Sequence, residues 1–110
     1  MTPYLIIFCT VPDKESGIKI SKALLKSRLA ACVNSVSDVN SMYWWNQNIE
    51  EGKERLLIIK TRRDLYADLE KTIKNIHPYD VPEIVALPVA AGSASYLEWI
   101  KSETESGSST

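Results

Sequence analysis

The stretch Tyr4-Leu-Ile-Ile-Phe-Cys-Thr-Val11 decides the fold, because it is an unbroken run of apolar, aromatic and β-branched residues. Pro12 and Asp13 end the run. A short apolar run bounded by turn residues is typical of a strand that is covered on both faces, in the middle of a sheet. The next most continuous apolar run is Leu56–Ile59. The pattern therefore predicts two central strands.

Three other segments have the apolar spacing of helices. Apolar residues recur every three or four positions across residues 16–32, 65–76 and 95–100, which is the period of one helical face. His77-Pro78 ends the second helix, because proline disfavours helical geometry in the residue before it. The expected N-terminal caps are Asp13 or Ser16 for the first helix, Thr61 with Asp64 for the second and Ser95 with Glu98 for the third.

A long hairpin fills the chain between the first two helices. Cys32–Trp45 alternates loosely as one strand, Asn46–Asn48 is the turn and Ile49–Thr61 is the return strand. Each arm has about 13 residues, or roughly 43 Å at the usual rise per residue, whereas most strands have about 5–6 residues. A bulge near Val36–Asn40 is expected. We predict that the hairpin extends beyond the core of its own domain.

The order of these elements predicts the fold class. Pro82 introduces one more strand, Glu83–Val89, so the order is strand, helix, strand, strand, helix, strand, helix. This order predicts an α+β, ferredoxin-like βαββαβ sandwich with an antiparallel sheet, an extended central hairpin and an extra C-terminal helix. The chain has 110 residues, too few for two ordinary domains. We expect a single domain over residues 1–103 and a disordered tail over residues 104–110.

The tip of the hairpin carries four large apolar residues in a row, Met42 to Trp45. On a monomer they would form an exposed apolar patch, and the unpaired strand edges beside them invite pairing with another chain. The alternative is that a bend folds the tip back over its own sheet. Because so short a chain cannot wrap the hairpin and also cover the last helix, we expect oligomerisation, as a closed ring rather than a fibre.

Composition and charge exclude several classes of protein. Thirteen Lys+Arg against fourteen Asp+Glu leave a net charge of -1, without the excess of basic residues that nucleic-acid binders use to neutralise phosphates. No apolar run approaches the roughly 20 residues that span a bilayer, and Met1–Tyr4 lacks the basic start of a signal peptide. Cys9 and Cys32 fall on strands that are not adjacent in this topology, which argues against a disulfide. We expect a cytoplasmic protein that binds no nucleic acid and enters no membrane.

Three residues with metal-binding side chains converge on one end of the predicted sheet. The last strand runs antiparallel beside the first, so Cys9 near the end of strand one lies close to Glu83 at the start of strand four. His77 precedes Glu83 by six residues, on the loop that reaches the same end. Thiolate and imidazole ligands favour copper or zinc over magnesium. The placement therefore allows a site for Cu(II) or another divalent ion.

Each of these residues also has a structural interpretation, because none belongs to a close-spaced ligand motif such as Cys-x-x-Cys or His-x-x-x-His. In that interpretation Cys9 is a small buried hydrophobic residue, His77 closes a helix and Glu83 is a solvated strand end. A cysteine nucleophile would need an orienting third group and an oxyanion site. The sequence contains no motif for either, so we expect no enzyme activity.

Six short motifs follow one another between about Tyr4 and Lys101: Cys9–Asp13, Arg28–Asn34, Tyr43–Trp45, Lys60-Thr61, His77–Tyr79 with Pro82-Glu83, and Tyr96–Trp99. In this combination and order they resemble the CutA family of divalent-cation tolerance proteins. The resemblance implies a ferredoxin-like subunit, a tight homotrimer akin to the PII signalling proteins, and a role in copper and heavy-metal tolerance.

The resemblance also implies a metal site, which would fall on Cys9, His77 and Glu83. Two positions depart from the family pattern. Ile76 precedes His77, where some members have a second histidine, and Gln47 stands in the hairpin turn, where members often have glycine.

Two functions follow from the resemblance. The first is a non-enzymatic homotrimer that binds Cu(II) or another divalent heavy-metal ion. The second is a PII-like signalling or structural trimer that binds a small metabolite or a protein partner in an intersubunit cleft. That cleft would be lined by Thr10, Trp45, Lys60, Tyr79 and Tyr96.

Overall fold

The computed structural model describes residues 2–105, and in this range the chain forms one four-stranded sheet and three α-helices. The predicted order of elements is confirmed. A short 3-10 turn, Arg63–Leu65, leads into the second helix. The elements are β1 (Tyr4–Val11), α1 (Lys14–Lys26), β2 (Cys32–Trp45), β3 (Asn48–Arg62), α2 (Tyr66–Ile76), β4 (Val85–Pro88) and α3 (Ala94–Glu103).

The sheet has the strand order β2-β3-β1-β4, and the neighbouring strands are antiparallel. All of β1 pairs with residues 55–62 of β3, and its residues 5–8 pair with β4. The two most continuous apolar runs therefore belong to the two central strands, as predicted. The ferredoxin-like α+β fold class, with its extended hairpin and extra C-terminal helix, is confirmed.

The core forms because side chains along the two central strands alternate between the two faces of the sheet. Successive strand residues point to opposite faces, so the odd-numbered residues of β1 and of the end of β3 share one face. α1 and α2 pack on this face through apolar residues that are also fully buried. Burying one such side chain stabilises the fold by about 1.5–3 kcal/mol. The core residues of the strands are Leu5, Ile7, Cys9, Val11, Leu57 and Ile59, and those of the helices are Ile20, Leu24, Leu69 and Ile73.

The opposite face of the sheet, here called the open face, is only partly covered. The prediction that β1 is covered on both faces is wrong for the single chain, because α1 and α2 lie on one side of the sheet. Ile6, Phe8 and Thr10 of β1 and the even-numbered residues 56–62 of β3 are half-buried, and Val85 and Leu87 of β4 are 50% and 43% exposed. The open face consists of Ile6, Phe8, Leu56, Ile58, Val85 and Leu87, which the strand pairing places side by side.

The two ends of α1 have different local causes. Asp13 caps the N-terminus, since its Oδ1 accepts the amide of Ser16 at 2.7 Å. The helix ends at Lys26 and not at residue 32, because Arg28 adopts a φ of 59° and the amide after it donates to the Leu24 carbonyl at 2.9 Å. This left-handed termination is a common helix end, although here an arginine replaces the usual glycine.

The other two predicted helix caps are wrong. Thr61 is fully buried, and its hydroxyl donates to the Leu29 carbonyl at 2.6 Å, while Asp64 pairs with a neighbouring arginine. α2 begins without a side-chain cap. α3 begins two residues earlier than predicted, where Ser93 Oγ accepts the amide of Tyr96 at 3.2 Å.

The hairpin of β2 and β3 extends beyond the rest of the sheet, as predicted. The ladder is interrupted between Val36 and Val39, where Asp38 has a φ of 60°, so the expected bulge is confirmed. β1 ends opposite Arg55 of β3. From that level to the turn, within the described residues, the two arms pair only with each other.

Thr104, the first residue after α3, contacts the rest of the domain. Thr104 is buried and closes α3 by donating its hydroxyl to the Ile100 carbonyl at 2.7 Å. Arg62 donates to the hydroxyl and the carbonyl oxygen of Thr104, at 2.9 and 3.1 Å. The remainder of the predicted tail, residues 106–110, lies outside the described residues. Between residues 2 and 105 no helix has the length and apolarity needed to cross a bilayer.

Candidate functional site

The region that contains the predicted metal ligands is the end of β1 that projects past β4. β4 pairs only with residues 5–8 of β1, so Cys9–Val11 have no partner in β4. The connection from α2 to β4, residues 77–84, reaches these three residues. We call Cys9–Val11, residues 77–84 and Glu54 of β3, which contacts Tyr79, together the rim. Cys9, His77 and Glu83 all belong to it.

His77 is held in the rim by both ring nitrogens. Its side chain is nearly buried, with 8% exposed. Nε2 lies 2.8 Å from the carbonyl oxygen of Thr10, and Nδ1 accepts the backbone amide of Tyr79 at 3.1 Å. A carbonyl only accepts and a backbone N–H only donates, so these partners assign the proton to Nε2 and leave Nδ1 bare. The imidazole is therefore neutral, with each nitrogen occupied.

Cys9 belongs to the rim, but its side chain faces the core. Its side chain is fully buried and forms part of the cluster that α1 and α2 cover. Burial raises the pKa of the thiol from its ordinary value of 9.0 to about 12, and the negative charges of Glu83 and Glu54 contribute to the same rise. The thiol is therefore protonated at neutral pH, whereas the thiolate is the form that binds metals.

Two carboxylates and a tyrosine complete the rim. Glu83 is exposed and precedes β4 by two residues. Glu54 of β3 accepts the hydroxyl of Tyr79 at 2.8 Å, and the Tyr79 ring lies 4.8 Å from the His77 ring between centroids. Burial and then Glu54 raise the pKa of Tyr79, so it remains a hydrogen-bond donor across the physiological range.

The three predicted donors are brought into one region but do not form a ready metal site. Among residues 2–105, no three His, Cys, Asp or Glu side chains lie together in an arrangement that could hold a metal ion. The Cys9 thiol retains its proton, and the bare nitrogen of His77 is already a hydrogen-bond acceptor. The side chains as they stand therefore do not fit a three-ligand centre. The assignment of Cys9, His77 and Glu83 as ligands stays a prediction.

The five residues expected to line a cleft are spread along one subunit. Thr10 lies opposite Leu56 in the pairing of β1 with β3, whereas Lys60 lies four residues farther along β3, about 13 Å away at the strand rise. Trp45 is at the hairpin tip, and Tyr96 of α3 stacks on Trp99 with centroids 5.6 Å apart. The assignment of these five residues to an intersubunit cleft stays a prediction.

Glu54 is the rim residue that sequence reasoning missed. It lies in an arm of the hairpin, where the sequence pattern indicates that an acidic side chain is solvated. Its placement beside Tyr79 depends on the register of β3 against β1, which puts Arg55 opposite Val11 at the end of the ladder. The register, and not any local motif, is the signal that could have identified it.

Two surface clefts are lined by residues other than the three predicted ligands. A small one, of about 130 Å³, lies between the N-terminus of α1 and the bulge of the hairpin, and both acidic and basic side chains line it. A second, of about 530 Å³, lies beside the start of β1 and the end of β3, next to α3. Neither contains Cys9, His77 or Glu83.

Known proteins with similar sequences agree in name. Residues 5–103 match the family described as CutA1 divalent ion tolerance protein. The divalent-cation tolerance protein CutA of Pyrococcus horikoshii is 46% identical over 101 residues, which are 92% of this chain and 98% of that protein. The chloroplastic protein CutA 1 of Oryza sativa is 44% identical over 102 residues, 93% of this chain but 58% of that protein. The chain thus spans little more than half the length of this plant relative.

Solved structures agree in fold. CutA1 from Oryza sativa superposes with a TM-score of 0.91 at 43% identity, covering 96% of each chain. The divalent cation tolerance protein of Thermus thermophilus gives a TM-score of 0.90 at 43% identity, covering 93% of this chain and 99% of the other. Because sequence and fold match over nearly the whole chain, this protein belongs to the CutA1 divalent ion tolerance protein family.

Proposed function

We propose that this protein acts in the tolerance of divalent cations as a non-enzymatic homotrimer. The observation that carries the proposal is the apolar surface that the single chain leaves exposed, on the open face of the sheet and at the hairpin tip. The names of the relatives support the role in divalent-cation tolerance. The resemblance to the CutA family supports the trimer.

The hairpin tip is the strongest sign of self-association. Trp44 is 72% exposed and lies opposite Ile49, which is 59% exposed. Met42 and Trp45 beside them are 68% and 50% exposed. Large apolar side chains grouped in this way are unfavourable in water, and the free edges of the two arms can pair with strands of another copy.

The open face extends the same surface. Phe8 of β1 lies between Ile58 of β3 and Val85 of β4, and Ile6 lies beside Leu87 of β4. None of these side chains is fully buried. A second and a third copy placed around an axis would cover these faces, and a closed ring leaves none of them free.

The mass in solution tests this proposal. Sedimentation equilibrium of the wild-type chain is expected to give three times 12.4 kDa, about 37 kDa. Trp44→Ser is expected to shift the distribution to smaller species. Ile18→Ser, which removes an exposed apolar residue from α1 on the other side of the sheet, is expected to leave the mass unchanged. A wild-type mass near 12.4 kDa would contradict the proposal.

The resemblance to the CutA family predicts a second, separate property, the binding of Cu(II) or another divalent ion at Cys9, His77 and Glu83. The hydrogen bonds that already occupy both ring nitrogens of His77 weigh against its part in such a site. The rim supports it through the proximity of the three residues, but a bound ion would have to displace the proton of a thiol whose pKa is about 12. Calorimetric titration of Cu(II) into wild type and His77→Ala tests it. Much weaker binding by the variant is expected if the site is correct, and equal, weak binding by both would reject it.

We also propose a cytoplasmic location, which is supported by the free state of both cysteines. One relative is named chloroplastic and another periplasmic, so the location of this protein is to be tested by cell fractionation. Recovery of the protein with a periplasmic or organellar marker would overturn it.

A further inference from the structure

The His77 ring is hydrogen-bonded to the backbone of Thr10 in β1 and of Tyr79 in the rim, and this arrangement points to a role other than metal binding. We infer that His77 is a positioning residue that fixes the connection between α2 and β4 to the end of β1, and that it does not coordinate a cation. The inference rests on hydrogen bonds within one subunit, so it does not depend on the proposed trimer.

The last three residues of β1 have no partner strand on the β4 side. β4 begins at Val85, opposite Phe8, so the last three residues of β1 lie beyond its end. Buried or nearly buried backbone groups need a hydrogen-bond partner. The carbonyl of Thr10 finds one in Nε2–H of His77, at 2.8 Å. The imidazole thus supplies the donor that a longer β4 would have supplied.

The other ring nitrogen is also hydrogen-bonded. Nδ1 accepts the amide of Tyr79 at 3.1 Å, which folds residues 77–79 around the ring. The Tyr79 ring packs against the imidazole, and its hydroxyl donates to Glu54 of β3 at 2.8 Å. A continuous chain of contacts therefore links β1, residues 77–79 and β3. Through it, His77 holds the start of the segment that carries Glu83.

The same two hydrogen bonds argue against a ligand role. A neutral imidazole has one bare nitrogen, and a metal needs that lone pair. Here the bare nitrogen already accepts the Tyr79 amide, and the other nitrogen carries its proton to Thr10. Coordination through either nitrogen would leave a backbone group without its hydrogen-bond partner. His77 is only 8% exposed, so that group would be left beside a nearly buried side chain. The preceding residue, Ile76, packs against the core and offers no second imidazole.

Nuclear magnetic resonance of the ring tests the inference on the wild-type protein. His77 is the one histidine of the sequence, so its ring signals are unambiguous. At pH 7.5 we expect the Nε2–H tautomer with a bare Nδ1, and we expect both nitrogen signals to stay in place when zinc(II) chloride is added. Conversion of either nitrogen to a metal-bound signal would overturn the inference. Because this readout needs no variant, it remains decisive even if substitutions at His77 prevent folding.

Amide exchange of Tyr79 provides the matched test of the positioning role. His77→Ala is expected to speed exchange of the Tyr79 amide roughly tenfold, which corresponds to one lost hydrogen bond. His77→Asn, whose side-chain oxygen can stand where Nδ1 stands, is expected to restore much of the protection. Glu83→Gln, which alters a predicted ligand but touches neither hydrogen bond, is expected to change nothing. If the Tyr79 amide exchanges as slowly in His77→Ala as in wild type, the inference is contradicted. This outcome is independent of whether the protein is a trimer.

Discussion

Single residues in this protein take their properties from the face of the sheet on which they lie. Cys9 and Thr10 are neighbours in β1, yet the first is fully buried against the helices and the second is half-buried on the opposite side. Thr61 of β3 is also fully buried, and it is a polar residue in an apolar layer that satisfies its hydroxyl with the Leu29 carbonyl. Two predictions belong to this scale.

The pH dependence of stability is expected to report the burial of Cys9. Its pKa is raised in the folded protein to about 12 from 9.0, so the folded state holds the proton more tightly than the unfolded chain. The contribution is complete below pH 9 and is lost as the pH rises toward 12. At pH 10 the loss is about 1.4 kcal/mol. Urea unfolding between pH 8 and 10 should show a shallower decline in Cys9→Ala than in wild type.

Cys32→Ala provides the control for this measurement. Cys32 is half-buried at the start of β2 and lies outside the buried core cluster, so this variant removes a thiol without opening the core. A Cys9→Ala protein with the wild-type slope would show that the thiol ionises as easily in the folded state as in the unfolded chain.

Thr61→Val is expected to destabilise the fold although it preserves the shape of the side chain. The substitution removes the donor to the carbonyl of half-buried Leu29, and loss of the partner of a group removed from water costs about 1–3 kcal/mol. Thr10→Val makes the same chemical change on the open face and should cost less than Thr61→Val by at least about 1 kcal/mol. Thermal or urea unfolding of both variants gives the comparison, and equal effects would mean that the hydroxyl of Thr61 contributes nothing specific.

At the scale of elements, the hairpin and the helix ends depend on a few residues in left-handed backbone. Arg28, Asp38, Asn46 and Gln47 all have positive φ. They occupy the end of α1, the bulge of β2 and the two central positions of the hairpin turn. Positive φ at both central positions identifies the turn type whose twist suits a tight hairpin, and glycine is favoured there. The turn therefore forms with Gln47 in a position where it carries backbone strain.

Gln47→Gly is expected to stabilise the protein by about 1 kcal/mol, because glycine adopts a φ near 66° without the steric penalty of a Cβ atom. The measurement is the free energy of unfolding in urea. Gln47→Ala shortens the side chain but keeps Cβ, so it should give no such gain. Equal stabilisation by both variants would place the effect in the lost side chain and not in the backbone.

At the scale of the whole molecule, the subunit is asymmetric between its two sheet faces. One face has two helices and a fully buried core, and the other has half-buried apolar residues that continue toward an exposed aromatic tip. The proposed association would stabilise the fold, because binding of one folded copy to another shifts the unfolding equilibrium.

The melting temperature is therefore expected to rise with protein concentration in the wild type. A hundredfold increase in concentration should raise it measurably, by a few degrees, since the free energy of association enters the unfolding equilibrium. Trp44→Ser should weaken this dependence, while Ile18→Ser should preserve it. A melting temperature that is independent of concentration, together with a monomeric mass, would remove the case for assembly.

Much of the fold followed from local pattern. The apolar runs, the helical periods and the long polar-to-aromatic hairpin predicted the number, type and order of the elements, and hence the ferredoxin-like topology. Helix ends were less predictable. The residues around Thr61 have the spacing of a helix cap, but its hydroxyl donates to the carbonyl of Leu29, 32 residues earlier in the chain. A cap depends on which partner lies nearest in space, and neighbouring residues in the sequence do not report that.

The sequence by itself determined which residues reach the rim, because strand order and direction place Cys9, His77 and Glu83 at one end of the sheet. Only the tertiary structure decided what their atoms do there. The depth of the core raises the pKa of the Cys9 thiol, and the shortness of β4 leaves a carbonyl that His77 satisfies. Residue type fixes which bonds a side chain can make, but the partners that lie within about 3 Å of it decide which of those bonds it makes.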